Sequence, residues 1–355
     1  MPLVSRAPAR LGRVGALVAA FLVLTASGAA LAQEKPTPLK VAVGGASCLC
    51  YLPTVLAKQL GLYEKHGLDA ELINFKGGSV ALTAVLGGSA DVVSGYYDHC
   101  VNLKAKNKDM ESIVVYDQFP GLVLVVSPKA TERVKSISDL AGKKVGVSAP
   151  GSSTDFFLKY VLRKNGIDPA KVSVIGIGLD DTAVAAQEQG QVDAAVMLDP
   201  APTMLQGKYK DLRILADTRS EKDTLAVFGG KYPGGSIYST RDWVAKHPKE
   251  SQAIADSIVE TLHWIHSHSA EEIAAKMPKE LVGPNRELYL AALKNTLPMY
   301  SKDGRMDPQG ARAVLDVFLQ SVPEIAKANV DLSTTYTNEF VEKATSASAD
   351  KARAQ

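Results

Sequence analysis

The sequence predicts an α/β fold made of two similar halves on mostly parallel sheets, followed by a helical part. Short apolar runs alternate with helical patterns, the same order of segments occurs twice, and the last third has helical periodicity. The 355 residues are enough for about two domains. With 46% hydrophobic and 22% charged residues, the composition excludes a disordered or collagenous chain.

The first half alternates strands and helices. Pro53 predicts the start of a helix, because its fixed φ suits the first turn. Gly61 is predicted to interrupt that helix. Ser79 follows a pair of glycines and is predicted to be the N-cap of the next helix. In order, the predicted segments are a strand at 40–44, a helix at 53–60, a strand at 70–75, a helix at 80–86 and a strand at 90–94.

The second half repeats this order about a hundred residues later. The run GSADVV at 88–93 has a counterpart in GQVDAAV at 190–196. The distance from Lys40 to Asp91 is 51 residues and that from Lys144 to Asp193 is 49, which indicates an internal duplication. The predicted segments are a strand at 143–148, a helix at 155–164, a strand at 172–177, a helix at 182–189 and a strand at 194–198.

The last third is predicted to be mostly helical. Pro248 begins a helix whose apolar positions recur at helical spacing. Asp307 and Pro308 are typical of a cap and a first helical residue, and this helix is predicted to end near residue 320. Residues 344–355 are small and polar, so we expect them to be frayed.

The first 32 residues have the features of a cleaved signal peptide. Arg6, Arg10 and Arg13 precede an apolar run at 14–24, and small residues end the segment at Ala32. The first cysteine is Cys48, so no lipid anchor is expected and the mature protein is predicted to be soluble and periplasmic. Removing three of the 40 basic residues leaves 37 against 38 acidic ones, a net charge of −1. This charge gives no support for nucleic acid or an anionic membrane as partner.

Three stretches together carry a family resemblance. They are LGLYEKHGLDAEL at 60–72, GGSVALTAVLGGSADVVSG at 77–95 and DLAGKKVGVSAPGSSTDFFLKYVLRKNGID at 139–168. In order and spacing they resemble the nitrate, sulfonate, taurine and thiamine-pyrimidine branch (NMT1/THI5-like) of periplasmic solute-binding proteins of ABC transporters. The resemblance extends over about residues 39–335.

This resemblance implies a two-lobed, type II periplasmic-binding-protein fold that closes on a ligand. The first lobe would contain residues 33–125 and 227–355, the second residues 126–226, with crossings near 122–127 and 226–228. It implies a monomeric, non-enzymatic receptor, without cofactor, that delivers a small organic solute to an inner-membrane permease and ATPase. An anionic or heterocyclic solute, of the sulfonate, pyrimidine or aromatic-acid type, is expected. A pyrimidine-synthase-like enzyme and a periplasmic sensor are the alternatives.

Ligands of open α/β sheets lie beyond the carboxyl ends of the strands, so the loops there contain the candidates. Hydroxyl residues beside helix N-termini suit an anionic oxygen, although they also serve as ordinary caps. Tyr96 and Tyr97 point to opposite sides of a strand, so at most one is expected to face the cleft. The predicted ligand-binding residues are Ser47, Cys48, Tyr51, Gly78, Ser79, Tyr96, Gln118, Ser152, Ser153, Thr154 and Asp199.

The same residue types also have structural explanations. The tyrosines would otherwise be core residues, and Asp199 before Pro200 is also common in turns. Cys48 and Cys50 are too close in sequence for an easy bridge, so we expect a disulfide from Cys100 to one of them. No metal site is predicted, because neither these cysteines nor the histidines at 263, 266 and 268 match usual ligand spacings. The histidines are expected at a solvated helix end.

Overall fold

The computed structural model describes residues 35–179 and 181–353, with side chains up to residue 346. The predicted signal peptide, residues 1–32, lies outside the described residues. No helix within the described ranges is both long and apolar enough to cross a bilayer.

The described residues form two five-stranded sheets of the same topology. The first sheet has the order β2-β1-β3-β10-β4 and the second the order β7-β6-β8-β5-β9. In each sheet three neighbouring strands are parallel, and one antiparallel strand, β10 or β5, lies between the third and the edge. The strands are β1 Thr37–Val43, β2 Leu68–Asn74, β3 Val92–Tyr96, β4 Met110–Val115, β5 Val123–Val126, β6 Lys144–Val147, β7 Ser173–Gly176, β8 Ala194–Met197, β9 Ile214–Asp217 and β10 Gly235–Thr240.

Each sheet contains an aspartate that accepts a hydrogen bond from the backbone of the neighbouring strand, as the duplicated sequence suggests. The backbone N–H of Lys40, in β1, donates to Asp91 Oδ2 at 2.7 Å. At the equivalent place in β6, the N–H of Lys144 donates to Asp193 Oδ2 at 3.1 Å. Each aspartate therefore ties the start of the parallel strand β3 or β8 to its neighbour.

Helices pack against both sheets. They are α1 Leu52–Gln59, α2 Leu62–Lys65, α3 Gly78–Leu86, α4 Asp98–Lys104, α5 Ser153–Lys164, α6 Asp181–Gln189, α7 Ala201–Lys208, α8 Glu221–Phe228, α9 Arg241–Lys246, α10 Pro248–Ser267, α11 Ala270–Lys276, α12 Lys279–Val282, α13 Arg286–Thr296, α14 Pro308–Ser321 and α15 Glu339–Arg353.

Most predicted helices are present, and Gly61 separates α1 from α2 as expected. Two details of the prediction are wrong. Ser79 is not an N-cap, because it already lies within α3, which starts at Gly78 with Gly77 in the cap position. The tail from residue 344 is not frayed at once, since α15 continues to Arg353.

We call the first lobe the part built on the first sheet, residues 35–115 and 235–353, and the second lobe residues 123–217. The chain crosses between them at 116–122 and 218–234. The predicted crossing at 122–127 therefore differs from the structure, because β5 occupies Val123–Val126 and pairs with both β8 and β9. A valine-rich run of four buried residues is typical of an inner strand, and that is where it lies.

The helical part stabilises the first lobe. Ile254, Ile258, Leu262 and Ile265 of α10 are all buried, as their spacing predicts. This helix packs against α1, α2 and α15. The C-terminal third thus packs against the first sheet, and its helix α13 also contacts α7 of the second lobe.

Candidate functional site

The two lobes contact each other at the carboxyl ends of their parallel strands. The loop after β1 approaches β8: the backbone N–H of Leu49 donates to the carbonyl of Asp199 at 2.8 Å. The N-terminus of α3, which follows β2, approaches the loop after β6. These loops contain most of the predicted ligand-binding residues, whose role in binding a ligand stays a prediction.

Ser79 and Ser152 join the lobes through three hydrogen bonds. The N–H of Ser79 donates to Ser152 Oγ at 2.9 Å, and Ser152 Oγ donates to Ser79 Oγ at 3.0 Å. Ser79 Oγ in turn donates to the carbonyl of Pro150 at 3.0 Å. A free N–H in the first turn of α3 is therefore satisfied by a side chain of the opposite lobe rather than by a local cap.

Asp98 provides a second connection between the lobes. Its carboxylate, at the start of α4, accepts hydrogen bonds from Ser153 Oγ of the second lobe at 2.7 Å and from Tyr232 OH of the crossing 218–234 at 3.2 Å. The side chain is 1% exposed. Burial raises the pKa of Asp98 to about 7, against the lowering effect of these two donors.

Thr154 stabilises its own lobe rather than the contact. Its Oγ1 accepts the N–H of Ser148 at 3.0 Å and lies 2.9 Å from Ser148 Oγ. This network fixes the loop between β6 and α5, which presents Ser152 and Ser153 to the first lobe. Thr154 therefore positions the neighbouring serines.

Tyr51 and Tyr96 meet edge to face, with ring centroids 6.2 Å apart. Tyr96 OH donates to the carbonyl of Pro120 in the crossing 116–122. Tyr97 points away from this region, toward the C-terminal part, where its hydroxyl lies 2.6 Å from Thr335 Oγ1. The opposite directions of the two neighbours agree with the alternation expected at the end of a strand.

A cavity of about 10 Å³ lies between these groups, which is about the size that holds one water molecule. An organic ligand at this place therefore requires the lobes to move apart. The residues lining the cavity are Tyr51, Gly78, Tyr96, Ser148, Ser152, Ser153, Thr154, Leu179 and Leu198.

The remaining predicted residues are not brought to this cavity. Ser47 lines a separate cavity of about 260 Å³ beside α7 and α12. Gln118 lines a third cavity, a groove of about 560 Å³ between the two crossings and the C-terminal part of the chain. Its Nε2 donates to the carbonyl of Tyr300. Asp199 lines another cavity of about 10 Å³ with Arg219 and accepts a hydrogen bond from Thr203 Oγ1. The predicted residues that line a cavity are thus distributed over four spaces, and Cys48 and Ser79 line none of these four.

The predicted disulfide from Cys100 is wrong. Cys48 is bonded to Cys50, and Cys100 is a free, buried thiol in α4. A short 3₁₀ turn, Leu49–Tyr51, begins directly after Cys48 and folds the chain back, which places the two Cα atoms 5.2 Å apart. That distance is within the usual range for a disulfide.

The histidine-rich end of α10 is used locally. His266 Nε2 lies 3.0 Å from the carbonyl oxygen of Ser301, and His268 stacks on Trp264 with ring centroids 3.8 Å apart. His263 is exposed. In the part of the chain that the structure describes, no three or more His, Cys, Asp or Glu side chains are grouped as a metal site requires.

Sequence reasoning underrated three residues at the lobe contact. Asp98 begins α4, two residues after the end of β3, but is not among the predicted ligand-binding residues. Tyr232 and Arg219 belong to the crossing 218–234, and no local motif marks them. Arg219 lies 2.6 Å from Asp217 and 3.6 Å from Asp199. Only the three-dimensional return of the chain brings these side chains to the cleft.

Comparison with known proteins gives a consistent result. A sequence model described as the NMT1-like family matches residues 33–278. A binding protein of Brucella abortus is 36% identical over 143 residues, which is 40% of this chain and 42% of the relative. The nitrate/nitrite binding protein NrtA of Nostoc is 24% identical, with 63% of this chain and 53% of the relative covered. The alignments thus extend over about half the length of these relatives.

Two solved structures share the fold. A protein of Bordetella bronchiseptica has a TM-score of 0.85 at 36% identity, covering 88% of this chain and 98% of its own. The periplasmic aliphatic sulphonate binding protein SsuA of Escherichia coli has a TM-score of 0.62 at 21% identity, covering 86% and 99%. The two sheets and these likenesses together show the two-lobed, type II periplasmic-binding-protein fold.

Proposed function

Because this chain belongs to the NMT1-like family, we propose that it is the substrate-binding component of an ABC importer. Its solute is a small organic molecule of the anionic or heterocyclic class, such as a sulfonate, a pyrimidine or an aromatic acid. The solute binds between the lobes, near Ser79, Tyr96 and Ser152. The relatives named as binding proteins support the general function.

The observation that carries this proposal is the direct contact between the lobes at Ser79–Ser152 and Asp98–Ser153. Polar groups on two lobes joined by two crossings suit a ligand that bridges them. When such a ligand replaces the direct hydrogen bonds, its contacts with both lobes favour a closed form. The inner-membrane permease and its ATPase would then recognise that form.

The proposed location is the periplasm, after removal of residues 1–32, and the proposed state is a monomer. The relative named as periplasmic and the signal-like sequence at the N-terminus support this location. An exported chain is also consistent with a disulfide between Cys48 and Cys50, since disulfides persist in oxidising compartments.

We propose binding rather than catalysis. An enzyme on this fold would need a reactive group at the cleft, and the two cysteines nearest to it in the sequence analysis are joined to each other. The remaining thiol, Cys100, is completely buried, and burial raises its pKa well above the ordinary value. A protonated, inaccessible thiol is a poor nucleophile.

Native mass spectrometry of protein purified from the periplasm tests this function. We expect a small-molecule adduct that is lost on denaturation, and we expect the Ser152→Ala variant to carry less of it. A protein that carries no adduct, and whose gene deletion leaves uptake of sulfonates, pyrimidines and aromatic acids unchanged, would contradict the importer function. Unchanged uptake with a retained adduct would instead favour a periplasmic sensor.

A further inference from the structure

The lobe contact contains a buried carboxylate without a cationic partner. Asp98 is 1% exposed and receives hydrogen bonds from the hydroxyl groups of Ser153 and Tyr232 and from the backbone N–H of His99. Among the described residues, no Lys or Arg side chain forms an ion pair with it. A buried carboxylate is costly unless a charged or donor-rich partner compensates it.

The cation that lines the cavity beside Asp199 is already engaged. Arg219 lines the cavity beside Asp199, but its guanidinium contacts Asp217 at 2.6 Å and Asp199 at 3.6 Å, and it also donates to Gln206 Oε1 at 3.1 Å. Two carboxylates therefore balance this single positive charge. An anion in the cleft would have to compete with both of them.

His99 does not provide a positive charge either. The ring lies directly behind Gly78: a Cβ built on that glycine would be 2.8 Å from His99 Cε1. Its Nδ1 lies 2.7 Å from Tyr238 OH, and burial lowers its pKa to about 4. At neutral pH this histidine is therefore uncharged.

The polar side chains that line the small cavity all carry hydroxyl groups, which donate as well as accept hydrogen bonds. They belong to Ser148, Ser152, Ser153, Thr154, Tyr51 and Tyr96. Such groups select neither charge by themselves. Asp98 is hydrogen-bonded to one of these hydroxyls, that of Ser153, so its charge is the one that a ligand replacing Ser153 would meet.

We propose that the cleft selects a small cationic ligand with paired N–H donors, such as an amidinium or a protonated amino-substituted heteroaromatic ring, and that Asp98 is its acceptor. This inference rests on the proposed receptor function and replaces the anionic part of its solute class by a cationic one. The two N–H groups of an amidinium match the two oxygens of one carboxylate. The ligand would take the place that Ser153 occupies on Asp98, while Tyr51 and Tyr96 pack against its ring.

Four compounds of similar shape and different charge test the selection: benzamidinium, benzamide, benzoate and benzenesulfonate. Binding of each to the mature protein is measured by isothermal titration calorimetry at neutral pH. We expect benzamidinium to bind most tightly and the two anions not to bind at millimolar concentration. The Asp98→Asn variant keeps the shape and removes the charge, so it should bind benzamidinium about thirtyfold more weakly or worse, with little change for benzamide.

Two further variants separate charge from folding. Asp193→Asn removes one negative charge far from the cleft and should leave the benzamidinium affinity unchanged. Ser153→Ala frees Asp98 from its cross-lobe donor without changing its charge and should increase that affinity. Circular dichroism melting of each variant confirms that it is folded.

Several results would overturn the inference: tighter binding of benzoate or benzenesulfonate than of benzamidinium, no binding of benzamidinium, or an unchanged affinity in Asp98→Asn. The native mass spectrum distinguishes this from failure of the receptor function. An anionic adduct there would leave the receptor function intact and reject the charge selection. Absence of any adduct, together with unchanged solute uptake, would reject the receptor function itself.

Discussion

Ser152 and Thr154 are two residues apart, yet their hydroxyl groups act in different parts of the molecule. Ser152 reaches across to Ser79, whereas Thr154 binds Ser148 within the second lobe. The sequence suggested the same ligand-binding role for both. Their separate hydrogen-bond partners now make separate predictions possible.

We expect Ser152→Ala to favour an open arrangement of the lobes at little cost in folding, because only contacts between the lobes are lost. Thr154→Ala should instead destabilise the fold by about 1–2 kcal/mol, since the N–H of Ser148 loses a buried acceptor. Small-angle scattering would show a larger radius of gyration for the first variant alone. Urea unfolding would show the loss of stability mainly in the second. The opposite distribution would contradict these roles.

The cysteines allow a simple chemical check. With Cys48 bonded to Cys50 and Cys100 completely buried, the native protein should show no thiol reactive toward Ellman's reagent. In guanidinium chloride without reductant, one thiol per chain should react. Cys100→Ser should abolish this signal, and a reactive thiol in that variant would show that the bridge between Cys48 and Cys50 is not formed.

At the residue scale, the sequence predicted the positions of residues that are determined by their neighbours in the chain. It did not predict contacts between residues that are far apart in the sequence. Ser152 and Ser153 follow a predicted strand, so their place at the cleft could be expected. Tyr232 contacts Asp98 from 134 residues away, and no local pattern indicates such a contact. The bridge between Cys48 and Cys50 was missed because it depends on a single 3₁₀ turn after an extended residue.

At the scale of elements, the strands and helices could largely be predicted, because alternating apolar runs and glycine stops determine them locally. The duplicated spacing also indicated which residues are equivalent. Asp91 and Asp193 confirm this, since each accepts the N–H of the residue that directly precedes the paired segment of the neighbouring strand. The antiparallel strands β5 and β10 were harder to predict, because their position in a sheet depends on where the chain crosses.

The equivalence of the two aspartates predicts equal consequences of substitution. Asp91→Ala and Asp193→Ala should each lower the free energy of unfolding by about 1 kcal/mol, because one backbone N–H loses its acceptor. Asp91→Asn and Asp193→Asn should retain most of the stability, since an amide oxygen also accepts. Chemical denaturation of the four variants tests this. A loss confined to one lobe would contradict the shared role.

At the scale of the whole molecule, Asp98 couples the lobe contact to pH. Burial raises its pKa from 3.8 to about 7. Groups near it include Tyr51, His99, Cys100 and Tyr232. Tyrosine and cysteine side chains have no cationic form, and burial lowers the pKa of His99 to about 4, so none of the four is positively charged at neutral pH. Near neutral pH the neutral and the ionised carboxyl are therefore both present, and a bound cation favours the ionised one.

This shift has a definite sign for stability. The folded state binds a proton on Asp98 more tightly than the unfolded chain, so the contribution is present below about pH 4 and is lost as pH rises through 7. Relative to Asp98→Asn, the wild type should thus lose up to about 4 kcal/mol between these limits. Urea unfolding of both proteins at several pH values measures the difference. A difference independent of pH would show that Asp98 titrates normally.

The inner position of β10, between β3 and β4 in the first sheet, determines an order of assembly. All five strands of the second sheet lie within residues 123–217, so they are complete once that stretch of chain has been made. The first sheet begins at residue 37 but needs β10, at Gly235–Thr240, to join β3 to β4. During synthesis from the N-terminus, the lobe that starts second is therefore the first whose sheet can close, and the N-terminal strands wait for a strand made more than a hundred residues later.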